Sequence, residues 1–362
     1  MLLIHLGALG AVVRSTALLA SIHRKYPGAH LTWVTEKPAH MLLKDHPLID
    51  RVLTTDQDSL LALKALRFDV GFCIDKSQVA YGIICSTTVN QVFGFSVNAV
   101  SGAIQPATAA AAELWELGLS NQKKFFINKK SEIQLVTEAL ELDYKRDPYH
   151  VHLTDKERAM AISRRAEWAP SGQLVVGLNT GCSDVISYKK LSIEAHRDLI
   201  IRLDHHGFRV VLLGGPEDEK RNQKIAYGLN VISSPTHAGL RDGLVSVQAC
   251  DVVVTGDSLG MHMAIGLNKW TVAWFGPTCA HEIDLYEHGV SVISRATCSP
   301  CWKRSCHKSP MCYDLVDLNQ IVDGVKLGAQ WLMSSFTPPF SETSCSVSHS
   351  CDTSRESGLS SL

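Results

Sequence analysis

The sequence predicts an α/β protein made of two doubly wound halves. Short apolar segments rich in β-branched residues alternate with longer amphipathic segments, and this alternation is typical of βαβ units in a parallel sheet. The alternation weakens between residues 99 and 149 and then begins again. A chain of 362 residues is also too long for one ordinary hydrophobic core. We therefore expect two domains, over residues 1–150 and 151–333.

Each half contains several predicted strands and helices. In the first half, strands are predicted at residues 2–6, 31–35, 51–54, 69–75 and 91–95, and helices at 12–26, 39–45, 60–67, 109–117 and 132–142. In the second half, strands are predicted at 174–178, 209–213, 231–233, 251–255 and 271–275, and helices at 193–206, 217–229, 240–249 and 261–267. Residues 334–362 are rich in Ser and Thr, and we expect a disordered tail because they are too polar to bury a core.

Charge and hydropathy exclude several classes of protein. The formal net charge is −1, from 35 Lys and Arg against 36 Asp and Glu, so no overall field favours nucleic acid as a partner. The apolar N-terminus lacks the basic leader and cleavage site of a signal peptide. No apolar segment reaches the roughly 18 to 20 residues of a membrane span. We expect a cytoplasmic protein.

The strand predicted at residues 251–255 leads into a glycine turn and a helix start, GDSLGMH at 256–262. In open α/β sheets, ligands bind beyond the carboxyl ends of strands, where helix N-termini present free N–H groups. Asp257 is suited to accept hydrogen bonds from sugar hydroxyls, Ser258 to bind a diphosphate, and His262 to face back from the first helical turn. The pattern fits equally well a simple N-cap at Asp257 or Ser258 and a core His262.

Two further strand ends carry polar residues. Thr180 and the Gly181 amide are candidates for binding phosphate, with positive charge supplied by Lys189 or its neighbour Lys190. Glu217 follows a Gly-Gly-Pro turn and is a candidate for binding ribose or base. A plain turn followed by solvated lysines fits these segments as well.

Taken together, these residues resemble glycosyltransferase family 9, the lipopolysaccharide heptosyltransferases, over nearly the whole chain to about residue 333. The most specific part is GDSLGMHMA at 256–264 with FGPT at 275–278, similar to the family's GDSG-x-x-H-x-A and FGPT blocks. The resemblance implies the GT-B fold, in which two Rossmann-like domains face each other across a cleft. It places the acceptor in residues 1–150 and the nucleotide-sugar donor in residues 151–333.

The same resemblance implies an ADP-sugar donor as co-substrate. It assigns donor contacts to residues at three strand ends: Asp257, Ser258, His262, Thr180 and Glu217. The family's phosphate-binding lysine stands two residues before a Trp-Pro pair. Leu and Ser replace that pair at residues 191 and 192, so Lys189 and Lys190 both stay candidates.

The segment LGALGAVVRST at 6–16 resembles the family's acceptor-side loop, in which Gly-Asp-Val supplies the general base. Ala11 stands here in place of that Asp, and a methyl group cannot take a proton. Inverting transfer needs a base that deprotonates the acceptor hydroxyl. We predict Asp75, at the end of the strand at 69–75, as this base, with His5 as the second candidate. Loss of catalysis is the third interpretation.

Four of the eleven cysteines lie within fifteen residues: Cys298, Cys301, Cys306 and Cys312. Four thiolates in this spacing can hold a metal tetrahedrally, and the sequence predicts a structural zinc or iron site. Many family members carry a similar cysteine-rich segment, and relatives that heptosylate autotransporter proteins hold iron on four cysteines. Reduced thiols in a basic loop, or a redox pair of Cys298 with Cys301, are the alternatives.

The resemblance therefore implies an inverting glycosyltransferase that moves a sugar, heptose in the family, from an ADP-sugar to a lipopolysaccharide core or another envelope glycolipid. A protein-directed heptosyltransferase is the alternative within the fold. A non-catalytic nucleotide-sugar-binding protein is the alternative from another class, because of Ala11. Basic residues near the cysteines, such as Lys303, Arg304 and Lys308, suggest peripheral contact with the inner membrane.

Overall fold

The computed structural model describes residues 1–335. It contains two six-stranded sheets flanked by helices. Nearly all of the predicted tail at residues 334–362 lies outside the described residues. No helix in the described part of the chain is long and apolar enough to cross a membrane.

The first sheet has the strand order β3-β2-β1-β4-β5-β6, and all neighbours are parallel except the antiparallel pair β5 and β6. Its strands are β1 (Leu2–Ile4), β2 (Thr32–Val34), β3 (Arg51–Leu53), β4 (Arg67–Cys73), β5 (Thr88–Val97) and β6 (Ile104–Pro106). The central strand β1 is completely buried, as expected for a parallel sheet covered on both faces. The antiparallel edge strand β6 was not predicted.

The helices of this half are α1 (Leu9–Ser15), α2 (Leu18–Lys25), α3 (Gln57–Lys64), α4 (Gln78–Cys85), α5 (Ala112–Leu119) and α6 (Glu132–Ala139). The single helix predicted at 12–26 is therefore two helices. Thr16 lies at the break, where its hydroxyl donates to the Val13 carbonyl oxygen at 2.7 Å, and such a local bond competes with the regular helical pattern. The predicted helix at 39–45 is a 3₁₀ turn, Ala39–Leu43.

The second sheet is entirely parallel, with the strand order β12-β11-β10-β7-β8-β9. Its strands are β7 (Val175–Asn179), β8 (Arg209–Leu213), β9 (Ile232–Ser233), β10 (Val252–Gly256), β11 (Trp270–Phe275) and β12 (Gly289–Ile293). The helices are α7 (Asp155–Trp168), α8 (Ile193–His205), α9 (Glu219–Ala226), α10 (Leu240–Gln248), α11 (Leu259–Gly266) and α12 (Leu318–Ser335). The sequence did not predict α4, α7, α12 or β12.

The two halves meet where α1 packs against α11. Val13 of α1 shares a hydrophobic cluster with Met263 and Ala264 of α11. The Val151 amide donates to the Gly266 carbonyl oxygen at 3.0 Å, which fastens the segment between the domains to α11. Because α1 follows β1 and α11 follows β10, the carboxyl ends of the two sheets face each other.

Candidate functional site: the facing strand ends

The turn from β10 into α11 leaves the N-terminus of α11 open. Ser258 occupies the N-cap position, but its side chain caps no backbone N–H group in the described helix. Its hydroxyl instead accepts from Asn179 Nδ2 at 3.0 Å and lies 3.2 Å from the Thr255 hydroxyl. Ser258 is thus the N-cap residue by position, but it does not cap the helix through its side chain. The first N–H groups of α11 can bind an anion.

Asn179, the last residue of β7, holds this turn together. Its Nδ2 lies within hydrogen-bond distance of the Gly181 carbonyl oxygen at 3.0 Å and the Thr255 hydroxyl at 3.2 Å, in addition to the Ser258 hydroxyl, and its two N–H groups are shared among these three acceptors. One amide thus connects the end of β10, the start of α11 and the loop after β7. This role could not be predicted, since a polar residue at a strand end is common and its partners Thr255 and Ser258 lie 76 and 79 residues further along the chain.

Lys189 reaches the same turn. Its Nζ lies 3.5 Å from Asp257 Oδ2, and both side chains are 15% exposed. Burial alone would raise the pKa of Asp257, but the positive charges of Lys189 and Arg14 lower it. Lys190 lines a separate cavity of about 380 Å³ with Arg221 and Arg304. Of the two candidate lysines, the structure brings Lys189 to Asp257.

His262 is 5% exposed, and its Nδ1 has no hydrogen-bond partner among the described residues. Burial and the nearby charge of Arg14 lower its pKa to about 3, so the ring is neutral near pH 7. Its ring lies 5.9 Å from that of Tyr149 and packs against Gly10 of α1, where a Cβ would collide with it. His262 therefore stands at the junction of the two domains with one unused polar atom.

Thr180 and Gly181, two further candidates for binding the nucleotide sugar, are less accessible to a ligand. Thr180 is completely buried, and its hydroxyl donates to the Leu213 carbonyl oxygen at 3.2 Å and to Asn222 Oδ1 at 2.5 Å. The Gly181 backbone packs against the Asp218 carboxyl group, which leaves no room for a side chain. A phosphate contact from the Thr180 hydroxyl would require it to give up these partners.

Glu217 is exposed at the turn after β8. Its carboxyl group lies over Gly215, 3.0 Å from where a Cβ of that glycine would stand. Within residues 1–335 it makes no hydrogen bond or ion pair with Lys189, Asp257 or His262.

On the opposite side of the cleft, Asp75 is bound to the loop between β1 and α1. Its two carboxylate oxygens accept from the Leu6 amide at 2.5 Å and the Gly7 amide at 3.1 Å. His5 lies beside this loop, 6% exposed, with its Nδ1 2.7 Å from the Ser15 hydroxyl. Burial lowers the pKa of His5. Both candidate bases thus make bonds that shape the loop.

Next to this loop lies a group of ion pairs that the sequence did not suggest. Arg14 of α1 binds Glu132 at the start of α6, at 2.7 Å. Lys124 binds Glu282 at 3.2 Å, and its Nζ lies 4.5 Å from the centre of the Trp302 ring. Burial raises the pKa of Glu282 to about 7. We call Arg14, Glu132, Lys124 and Glu282 the cleft ion pairs.

The predicted metal site is not supported. Cys298, Cys301, Cys306 and Cys312 line one cavity of about 360 Å³. Over residues 1–335, however, no group of three or more His, Cys, Asp or Glu side chains is arranged to hold a metal ion. The Cys312 thiol packs against Gly276, and burial raises its pKa to about 11.

Comparison with known proteins agrees with this architecture. The family model of glycosyltransferase family 9 (heptosyltransferase) matches residues 122–312, more than half of the chain. Lipopolysaccharide heptosyltransferase 1 of Campylobacter coli is 20% identical over 342 residues, which are 90% of this chain and 97% of that protein. Lipopolysaccharide heptosyltransferase 2 of Escherichia coli K12 is 29% identical over 110 residues, so this match spans 28% of the chain and only 31% of that relative.

The fold is also that of solved heptosyltransferases. The structure of the ADP-heptose lipopolysaccharide heptosyltransferase II of E. coli superposes with a TM-score of 0.67 at 16% identity, over 92% of this chain and 99% of that one. The predicted GT-B fold of two facing α/β domains is thereby confirmed. With the family model matched across the segment that contains the β10–α11 turn, the chain belongs to glycosyltransferase family 9, the heptosyltransferase family.

Proposed function

We propose that the protein is an inverting heptosyltransferase that moves heptose from ADP-heptose to a lipopolysaccharide-type acceptor of the cell envelope. One observation carries the proposal: the open N-terminus of α11 lies between the Lys189–Asp257 pair and the unpartnered Nδ1 of His262. Free helical N–H groups and a lysine are suited to a diphosphate. Family membership and the lipopolysaccharide heptosyltransferases among the relatives support the choice of donor and acceptor.

In this proposal each residue of the turn has a separate task. The diphosphate leaves with increasing negative charge, which the α11 amides and the Lys189 ammonium stabilise because they are already oriented towards it. Asp257, held ionised by Lys189, accepts hydrogen bonds from sugar hydroxyls. His262 binds as a neutral ring, since its pKa of about 3 keeps it uncharged. Thr180, Gly181 and Glu217 would contact the remainder of the nucleotide.

The acceptor would enter from the first domain, opposite α11. Peripheral contact with a membrane surface is part of the same proposal. The exposed side chains of Lys303, Arg304 and Lys308 lie in the loop of the second domain that contains the cysteines, and their charge suits the phosphate groups of an anionic glycolipid. The protein would then work on the cytoplasmic face of the inner membrane.

The test is a transfer assay with the full-length protein and ADP-heptose. Lipopolysaccharide from a heptose-deficient strain serves as one acceptor and envelope proteins from the same strain as the other, with ADP release and the mass of each acceptor as the readouts. A gain of one heptose on the glycolipid is expected. A gain on protein alone would replace the acceptor by the protein-directed alternative. Donor binding without ADP release would favour the non-catalytic alternative.

A further inference from the structure

Ala11 cannot supply a carboxylate, but the same helix, α1, carries the charged residue Arg14 one turn further along. Ala11 and Arg14 are separated by three residues on α1, so their side chains lie on the same face of the helix. Both are partly exposed, whereas Val12 and Val13 between them are buried. The face of α1 that carries Ala11 and Arg14 is therefore partly open rather than packed into the core.

A carboxylate from another helix pairs with Arg14 on this face of α1. Glu132, at the start of α6, lies 2.7 Å from Arg14, and its side chain is 30% exposed. Its partner Arg14 lies on α1, the helix that packs against α11. Glu132 therefore lies beside the junction of the two domains, with part of its surface open to a ligand.

The other acids near the loop are less available. Both oxygens of Asp75 accept backbone hydrogen bonds from the loop. The Glu282 side chain is only 7% exposed and faces Lys124, and its pKa of about 7 leaves it half protonated near neutral pH. Among the described acids around Ala11, Glu132 combines exposure with an orienting partner.

We infer that Glu132 is the proton acceptor of the transfer proposed above, in place of the carboxylate missing at position 11, and that Arg14 orients it. This inference rests on the proposed function. The acceptor oxygen forms a bond to the anomeric carbon while the bond from that carbon to the diphosphate oxygen breaks, and its electron pair leaves with ADP. The proton of the acceptor hydroxyl passes to the Glu132 carboxylate.

The charges around Glu132 keep it ready to accept a proton. Burial alone would raise its pKa, but the positive charges of Arg14, Lys124 and Lys76 lower it. The group is thus ionised across the neutral range. A weakly basic carboxylate is sufficient here, because the hydroxyl becomes strongly acidic once its oxygen has bonded to the sugar.

The experiment compares Glu132→Gln with Glu138→Gln in the full-length protein. Glu138 lies on the same helix, 2.8 Å from Lys130, and is 35% exposed, so it matches Glu132 in charge, pairing and exposure. With ADP-heptose and lipopolysaccharide from a heptose-deficient strain, Glu132→Gln should lower kcat about 10²- to 10⁴-fold, as expected for loss of a general base. Its donor Kd and thermal unfolding should match those of Glu138→Gln, which should retain wild-type kcat.

A rescue variant distinguishes loss of the proton acceptor from structural damage caused by replacing Glu132. Ala11→Asp, added to Glu132→Gln, restores a carboxylate on the same face of α1 and should recover a large part of kcat. Wild-type turnover in Glu132→Gln would overturn the inference and leave the proposed function standing. Failure of the wild type to bind ADP-heptose would overturn the proposed function, and the inference with it.

Discussion

Replacing Gly260 with alanine should disturb the β10–α11 turn through Asn179. A Cβ on Gly260 would lie 2.7 Å from Asn179 Cγ, whereas ordinary contacts begin at 3.4 Å. The Asn179 side chain would therefore have to move by about 0.7 Å, the difference between these two distances. That side chain connects Gly181, Thr255 and Ser258, so the displacement reaches all three segments of the turn.

The expected cost follows from two opposing effects. Overpacking of this kind costs about 1–3 kcal/mol, and each weakened hydrogen bond of Asn179 contributes about 0.5–1.5 kcal/mol of it. Replacing a glycine in a helix by alanine stabilises the folded state by about 0.5–1 kcal/mol. We expect Gly260→Ala to lower the free energy of unfolding by about 1–2 kcal/mol and to weaken the binding of ADP-heptose, because the Ser258 hydroxyl is reoriented.

Gly243→Ala is the matched control. Gly243 lies in helix α10 of the same domain, and a Cβ there meets no atom within 4 Å. This variant should gain about 0.5–1 kcal/mol from helix propensity alone and bind the donor like the wild type. Urea denaturation and calorimetric titration with ADP-heptose measure both quantities. If Gly260→Ala proves as stable as Gly243→Ala, Asn179 does not hold the turn as described.

Two further predictions concern pH. Burial raises the pKa of Glu282 from 4.5 to about 7, so the folded state binds a proton more tightly than the unfolded state. The stability that this group contributes is therefore lost as pH rises from 4.5 through 7, and the wild type should lose about 3 kcal/mol of unfolding free energy relative to Glu282→Gln over this interval. Parallel plots of unfolding free energy against pH for the two proteins would contradict the assignment. Burial lowers the pKa of His46, whose ring is hydrogen-bonded to His150 at 2.9 Å, from 6.5 to about 4. The stability that this group contributes is therefore present above pH 6.5 and lost as pH falls through 4. Urea denaturation should show a smaller loss of unfolding free energy on acidification in His46→Gln, and an unchanged loss would exclude His46 as the titrating group.

The parts of the site that follow from local sequence could be predicted. The strand, glycine turn and helix start at residues 251–267 form as expected, because buried β-branched residues, a glycine and a following apolar helix occur in uninterrupted succession. The sequence could not decide between Lys189 and Lys190, since the choice depends on how the 3₁₀ turn before them, Asp184–Ile186, directs each side chain. Thr180 stays a candidate for binding phosphate, but its hydrogen bond to Asn222, 42 residues further along the chain, could not be predicted from the sequence.

The cleft ion pairs could not be predicted for the same reason. Arg14 and Glu132 lie on helices far apart in sequence, and neither stands in a pattern that indicates a partner. Their meeting depends on how α6 packs beside the first sheet. The missing carboxylate at Ala11 was visible in the sequence, whereas the residue beside Arg14 became visible only in the fold.

The central claim is that the β10–α11 turn binds the donor, and calorimetric titration of ADP-heptose into Asp257→Asn tests it most directly. Asp242→Asn is the control, since Asp242 pairs with Arg164 at 2.7 Å and is 12% exposed, close to the 15% of Asp257. We predict wild-type affinity for Asp242→Asn and at least about tenfold weaker binding for Asp257→Asn, in line with the 1.5–3 kcal/mol of a hydrogen bond to a charged group. Equal affinity in the two variants would contradict the account.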